Sequence, residues 1–108
     1  MATKMINIAK DFSRAPAGRY RTDGTKSGEV FREDVLVPAL RDGSDIEVLL
    51  DGTRGYGSSF LEEAFGGLVR EAHMDVDDLR RRLCLRSSRR TLELEIWGYI
   101  EDAARERA

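Results

Sequence analysis

Three short apolar runs alternate with three longer segments of helical apolar spacing, and the connections between them are brief. That pattern predicts an α/β fold: a small single layer of mainly parallel strands with helices packed on it. The strand-like runs are Met5–Ala9, Ile46–Leu50 and Leu83–Leu85, and the helical segments open near Ser27, Ser58 and Thr91. The predicted order is therefore strand, helix, strand, helix, strand, helix. At 108 residues there is room for one modest core, so residues 1–108 are expected to form a single domain.

Composition narrows the function. The 18 Lys and Arg face 20 Asp and Glu, leaving a net charge of −2, so the basic excess of a generic nucleic-acid binder is missing and a nucleic acid is not the expected partner. No run approaches the roughly 18 apolar residues of a membrane span, and no basic start leads into an apolar secretory core. A cytoplasmic protein without a membrane partner is expected. The single Cys84 cannot form an internal disulfide, which fits a reducing compartment.

Met5–Ala9 (MINIA) is expected as the first strand. Lys10–Lys26 is rich in Gly, Pro, Ser and charge and reads as loop, with Arg19–Thr22 a candidate edge strand. Arg19 and the nearby Arg32 are a candidate anion or partner site, because guanidinium groups bind carboxylate and phosphate bidentately; the alternative is a solvated loop. A helix begins at Ser27, burying Val30, Phe31, Val35, Leu36 and Leu40, and Pro38 should kink it or stop it near Val37. Arg41–Asp45 then turns the chain into the central strand.

The stretch from Ile46 to Ala72 is the most informative. The strand stops at Asp51, Gly52, Gly55 and Gly57 make a tight loop, and Phe60, Leu61, Ala64, Phe65, Leu68, Val69 and Ala72 share one face of the next helix. Ser58 and Ser59 are expected at its N-cap, with Glu62 completing a capping box after Ser59. Gly66 and Gly67 each cost a helix interior about 1 kcal/mol relative to alanine. They suggest a flat strip, on the polar side with Glu62 and Glu63, where another backbone approaches closely. A capped, buried helix is the plainer alternative.

Beyond it, His73 reads as a surface residue with no cysteine or carboxylate cluster at metal spacing, and Asp75–Asp78 suits the first turn of a short helix. Leu83–Leu85 is the last strand, with Cys84 expected in or near the core. Arg80, Arg81, Arg82, Arg86, Arg89 and Arg90 read as solvated helix ends and loop, with a patch for a nucleic acid or an acidic partner as the alternative, though no interleaved aromatics accompany it for base stacking. Thr91–Arg107 alternates like a strand at Leu92, Leu94 and Ile96, but its length favours a helix that packs Trp97 on or near the sheet.

A strand ending in Asp, a glycine-containing loop and paired serines opening a helix resemble the phosphorylatable loop of STAS domains, the fold of the anti-sigma-factor antagonists. The segments INIAKDFS, AGRY, SGEVFREDVLVPAL, GYGSSFLEEAFGGLV and IWGYIEDA are similar to the bacterial STAS-like family of unknown function, and SSFLEEAFGGL is the most specific of them. In the antagonists the first serine of an Asp-Ser-Ser-Gly run is phosphorylated, which the resemblance carries to Ser58; here Gly57 replaces the Asp and Phe60 the Gly.

A non-catalytic regulatory module is therefore expected, since the chain shows no nucleophile with its base, no phosphate loop with its lysine and no metal constellation. Asp51 could be read as a base for Ser58, but the G-x-S-x-G elbow is absent. The module would dock a protein partner through Gly57, Ser58, Ser59, Glu62, Glu63, Gly66 and Gly67, with Ser58 and Ser59 as candidate phosphorylation sites and no cofactor or metal. The STAS resemblance implies a partner ATPase or kinase of the histidine-kinase-like class. A phosphate on Ser58 would bring about −1.5 to −2 charges beside Glu62 and Glu63 and weaken docking by repulsion. The alternative is a small-ligand or nucleotide sensor at the carboxyl ends of the strands, using Asp11, Arg19, Arg32 or Asp51.

Overall fold

The structure is a computed structural model and describes residues 3–107. Strands β1 (Thr3–Asn7), β2 (Asp45–Leu49) and β3 (Leu83–Arg86) form one three-stranded sheet in the order β1-β2-β3, and both neighbouring pairs run parallel. Ile6 pairs with Val48 and Val48 with Leu85, so the alternate apolar residues fall in register on one face. Ile6, Ile46, Val48, Leu83 and Leu85 are all buried there. The α/β class and the parallel layer are as predicted.

All the helices serve that one face. Helix α1 (28–41) and helix α2 (58–70) pack on each other, and helix α4 (Arg90–Arg107) packs along α2. Phe31, Leu36, Leu40, Phe60, Leu61, Phe65, Leu68, Leu79, Leu92, Ile96 and Ile100 join the strand residues in a single core. An aromatic group sits at its centre: the Phe31 ring lies 4.9 Å from Phe12, 6.0 Å from Phe60 and 6.2 Å from Phe65, in tilted and edge-on arrangements. Helix α1 can approach α2 closely only because residue 28 is glycine; a Cβ there would stand 2.5 Å from the Phe60 carbonyl oxygen.

Local chemistry shifts several element boundaries. β1 ends at Asn7 rather than Ala9, because the Asn7 side chain accepts the Lys10 N–H while Asp11 accepts the Asn7 N–H at 2.7 Å, closing a wide turn over Ile8–Phe12. The expected edge strand at Arg19–Thr22 is absent. Asp23 accepts the backbone N–H groups of Arg19 and Tyr20 and winds Arg21–Asp23 into a 3₁₀ turn instead. In α1, Pro38 does not stop the helix near Val37: the helix runs on to Arg41, and the irregularity comes one turn earlier. The preceding turn, Arg32–Leu36, is a π turn in which the Val37 N–H reaches back five residues to Arg32, and that widening accommodates a proline one residue later.

Helix α3 (Val76–Arg82) begins where the acidic run predicted, with Asp75 accepting the Asp78 N–H. Arg82 ties its end to Asp78 and to the Ser44 carbonyl, at 2.9 Å and 2.8 Å. The arginine run is largely paired: Arg80 with Glu101 and over the Trp97 ring, Arg81 with Asp78, and Arg86 with Glu47. Trp97 is half-buried against the core. Cys84 is exposed, which corrects the expectation of a core position: strand alternation buries Leu83 and Leu85 and turns Cys84 to the opposite face. No helix among the described residues is long and apolar enough to cross a membrane.

Candidate docking surface at the start of the central helix

Asp51, the residue after β2 and Leu50, clasps the carboxyl ends of two strands together. Its carboxylate accepts the Ser88 N–H at 3.0 Å and the hydroxyls of Ser88 and Ser87 at 3.2 Å and 3.3 Å. Those bonds, the Ser88 N–H foremost, hold its pKa below the usual carboxylate value. With every bond directed at the segment after β3, Asp51 is a clamp and is not turned to Ser58 as a base.

The chain then reverses through Gly52 and Gly55, whose φ values of 100° and 138° suit glycine. Two further bonds fix the loop: the Tyr56 hydroxyl donates to the Leu50 carbonyl at 2.6 Å, and the Arg54 N–H to the Arg14 carbonyl at 2.8 Å. The Tyr56 ring stacks on Phe60 at 6.0 Å, and burial raises the phenol's pKa. A pinned loop thus presents Gly57, Ser58 and Ser59 at the surface, all three exposed.

The N-cap of α2 is Gly57, with no side-chain cap, so Ser58 and Ser59 are the first two helical residues rather than the cap. Neither serine hydroxyl has a hydrogen-bond partner among the described residues. The expected capping box from Ser59 to Glu62 does not form, because Glu62 is taken by arginines. Its carboxylate accepts Arg19 at 2.5 Å and Arg70 at 2.6 Å and 3.2 Å.

Glu63 lies deeper, 4% exposed, and accepts Arg32 at 2.6 Å; the same Arg32 nitrogen donates to the Glu63 backbone carbonyl at 2.7 Å. Arg19 and Arg70 each reach Glu63 at 3.3 Å. Burial works to raise the Glu62 pKa, but the hydrogen bonds from Arg70 and Arg19 outweigh it and the net shift is downward. Three guanidinium groups therefore hold two carboxylates in one network across the loop before α1, α1 and α2.

That network redistributes the predicted site. Arg19 and Arg32 do come together, but around Glu62 and Glu63 and not around Asp51, so the three do not form one anion site. Glu63, Gly66 and Gly67, expected on an exposed stripe, are buried. The flat strip beside the glycines is occupied within the chain: a Cβ on Gly66 would meet the Glu62 carboxylate at 2.8 Å and the Tyr99 carbonyl at 3.3 Å, and one on Gly67 would overlap Arg32. The exposed part reduces to Gly57, Ser58 and Ser59, with Glu62 half-buried behind them.

A separate cavity of about 430 Å3 opens between the carboxyl ends of β2 and β3, lined by Asp51, Thr53, Arg54, Tyr56, Ser88 and Arg89 among others. Sequence reasoning did not single out Arg54, Ser88 or Arg89 as ligand residues. The available signal was positional, since the segments after neighbouring parallel strands meet at one edge of the sheet. No group of His, Cys, Asp and Glu able to hold a metal occurs among the described residues.

Residues 27–88, more than half of the chain, match the model of a family described as a STAS-like domain of unknown function. The match holds α1, β2, the serine loop, α2, α3 and β3, and leaves β1 and α4 outside it. No curated protein and no solved structure matches the chain significantly.

Proposed function

The chain belongs to the STAS-like domain family of unknown function, and from that premise we propose that it is a non-catalytic regulatory module that docks a protein partner through Gly55–Ser59 and the first turn of α2. One observation carries this reading: two neighbouring serines, their hydroxyls without a hydrogen-bond partner among the described residues, stand exposed on a loop pinned through Asp51, Tyr56 and Arg54. A rigid exposed rim enters a complex with little ordering cost. The likeness to STAS antagonists suggests a partner ATPase or kinase of the histidine-kinase-like class, with Ser58 or Ser59 as the modified residue.

The charge arithmetic of such a switch differs from the simple repulsion expected from sequence. Glu62 and Glu63 are already neutralised by Arg19, Arg32 and Arg70, so a phosphate on Ser58 meets the positive end of α2 without opposing free carboxylates. Phosphorylation then leaves the helix intact and acts on the partner, by charge and bulk at the rim. Intact mass after incubation with ATP and host extract tests the switch: an added phosphate on wild type and none on Ser58→Ala and Ser59→Ala together supports it, and unchanged mass beside a modified control substrate counts against it.

A second reading is favoured by the cavity at the strand ends, whose lining includes Arg54 and Arg89, with Asp51 already satisfied by the serines. There the module would sense a small anionic ligand. A rise in melting temperature with a nucleotide or phosphate, lost in Arg54→Ala and Arg89→Ala, separates this from docking alone.

A further inference from the structure

All-parallel sheets are almost always covered on both faces, because the crossovers between their strands place helices on either side. Here the fully buried strand side chains Ile6, Ile46, Val48, Leu83 and Leu85 all lie on one face, while the described side chains of the other face are half-buried or exposed. Register sets its side chains in two rows: Met5, Glu47 and Cys84, then Asn7, Leu49 and Arg86. Met5 is 62% exposed, more than any other large hydrophobic side chain described. Cys84 is exposed in the same row and Leu49 is half-buried at the centre.

We infer that this face is an interface between two copies of the chain. The choice of occupant rests on charge. The rows carry one acid and one base, Glu47 and Arg86, already paired diagonally across β2 and β3 at 2.5 Å. A single-signed partner would meet one of them as a like charge, whereas a twofold-related copy presents the same two in reversed order. An axis crossing the strands between the two rows sets Arg86 of the second copy beside Glu47 of the first, Met5 above Asn7, and Leu49 close to its own image. Asp45 lies at the outer margin on β2, and Arg90 and Glu93 of α4 flank the adjoining groove of about 720 Å3, again one of each sign. The contact leaves Ser58 and Ser59 free, since α2 packs on the opposite face of the sheet.

Sedimentation equilibrium from about 1 μM to about 1 mM, with a short bismaleimide to join Cys84 between copies, tests the inference. The expected result is a concentration-dependent dimer cross-linked through Cys84. Met5→Asp and Arg86→Glu should each weaken it at least about tenfold with an unchanged circular dichroism spectrum, and Glu47→Arg combined with Arg86→Glu should restore it. A monomer throughout that range overturns the inference. So does a dimer that ignores Met5→Asp and leaves Cys84 unlinked, because it uses another surface.

Discussion

The guanidinium of Arg32 occupies the space that a side chain on residue 67 would take. A Cβ built on Gly67 overlaps Arg32 Nη1 and stands 3.0 Å from its Cδ and Cζ, while Arg32 itself is 3% exposed and held by Glu63. The glycine is thus the counterpart of a buried charge, which offsets its poor helix propensity. Gly67→Ala should destabilise the domain by about 1–3 kcal/mol as an overpacked site. Gly66→Ala should cost less, because the nearest obstacle is the movable end of Glu62 and alanine returns about 1 kcal/mol of helix propensity. Urea unfolding of the two variants makes the comparison.

Arg32→Met leaves Glu63 buried without its principal partner and should cost about 3–5 kcal/mol. The double variant Arg32→Met with Glu63→Leu should lose clearly less than the two single losses added together, since neither charge is then stranded. A double-mutant cycle by chemical denaturation reads the coupling directly.

The fold was legible in sequence where side-chain period carries it. The apolar run Ile46–Leu50 returns as the central strand, and the apolar face from Phe60 to Val69 is buried as its helical spacing predicts. The site was legible only in part. Ser58 and Ser59 are exposed at the helix start, but the partners of Glu62 include Arg19, 43 residues away, and local spacing cannot distinguish an acid that caps a helix from one that pairs across the fold. The π turns at Arg32–Leu36 and Glu62–Gly66 also escape sequence reading, because an extra residue in one turn leaves the apolar pattern nearly unchanged. Cys84 was misplaced because a short apolar run such as Leu-Cys-Leu does not say which of its residues faces the core.

Acid should loosen the clasp at the strand ends. The folded Asp51 pKa is depressed, so its contribution is present above the ordinary carboxylate value near ~4 and is lost as pH falls through the lower folded value. Glu62 adds in the same direction. Unfolding free energy should therefore fall below about pH 4, and the fall should be shallower in Asp51→Asn than in wild type.

The uncapped start of α2 is open to improvement. Gly57 has extended backbone angles of −73° and 149°, and nothing lies within 4 Å of a Cβ placed there. Gly57→Asp should supply the missing cap and raise stability by a few tenths of a kcal/mol or more, and Ser58→Asp should add about 0.3–1 kcal/mol through the helix dipole. Thermal melting at low salt reads both, and a fall in melting temperature for Ser58→Asp would show that the first turn does not favour negative charge.

Docking through the serine rim is tested most directly by photo-cross-linking in host extract from a benzophenone amino acid placed at Ser58, and in parallel at Asp42 on the turn before β2. The account predicts one discrete protein adduct from position 58, absent from position 42 and abolished when Ser59→Arg is added beside the probe in a protein that melts normally. Adducts of equal strength from both positions, or none from position 58, would contradict it.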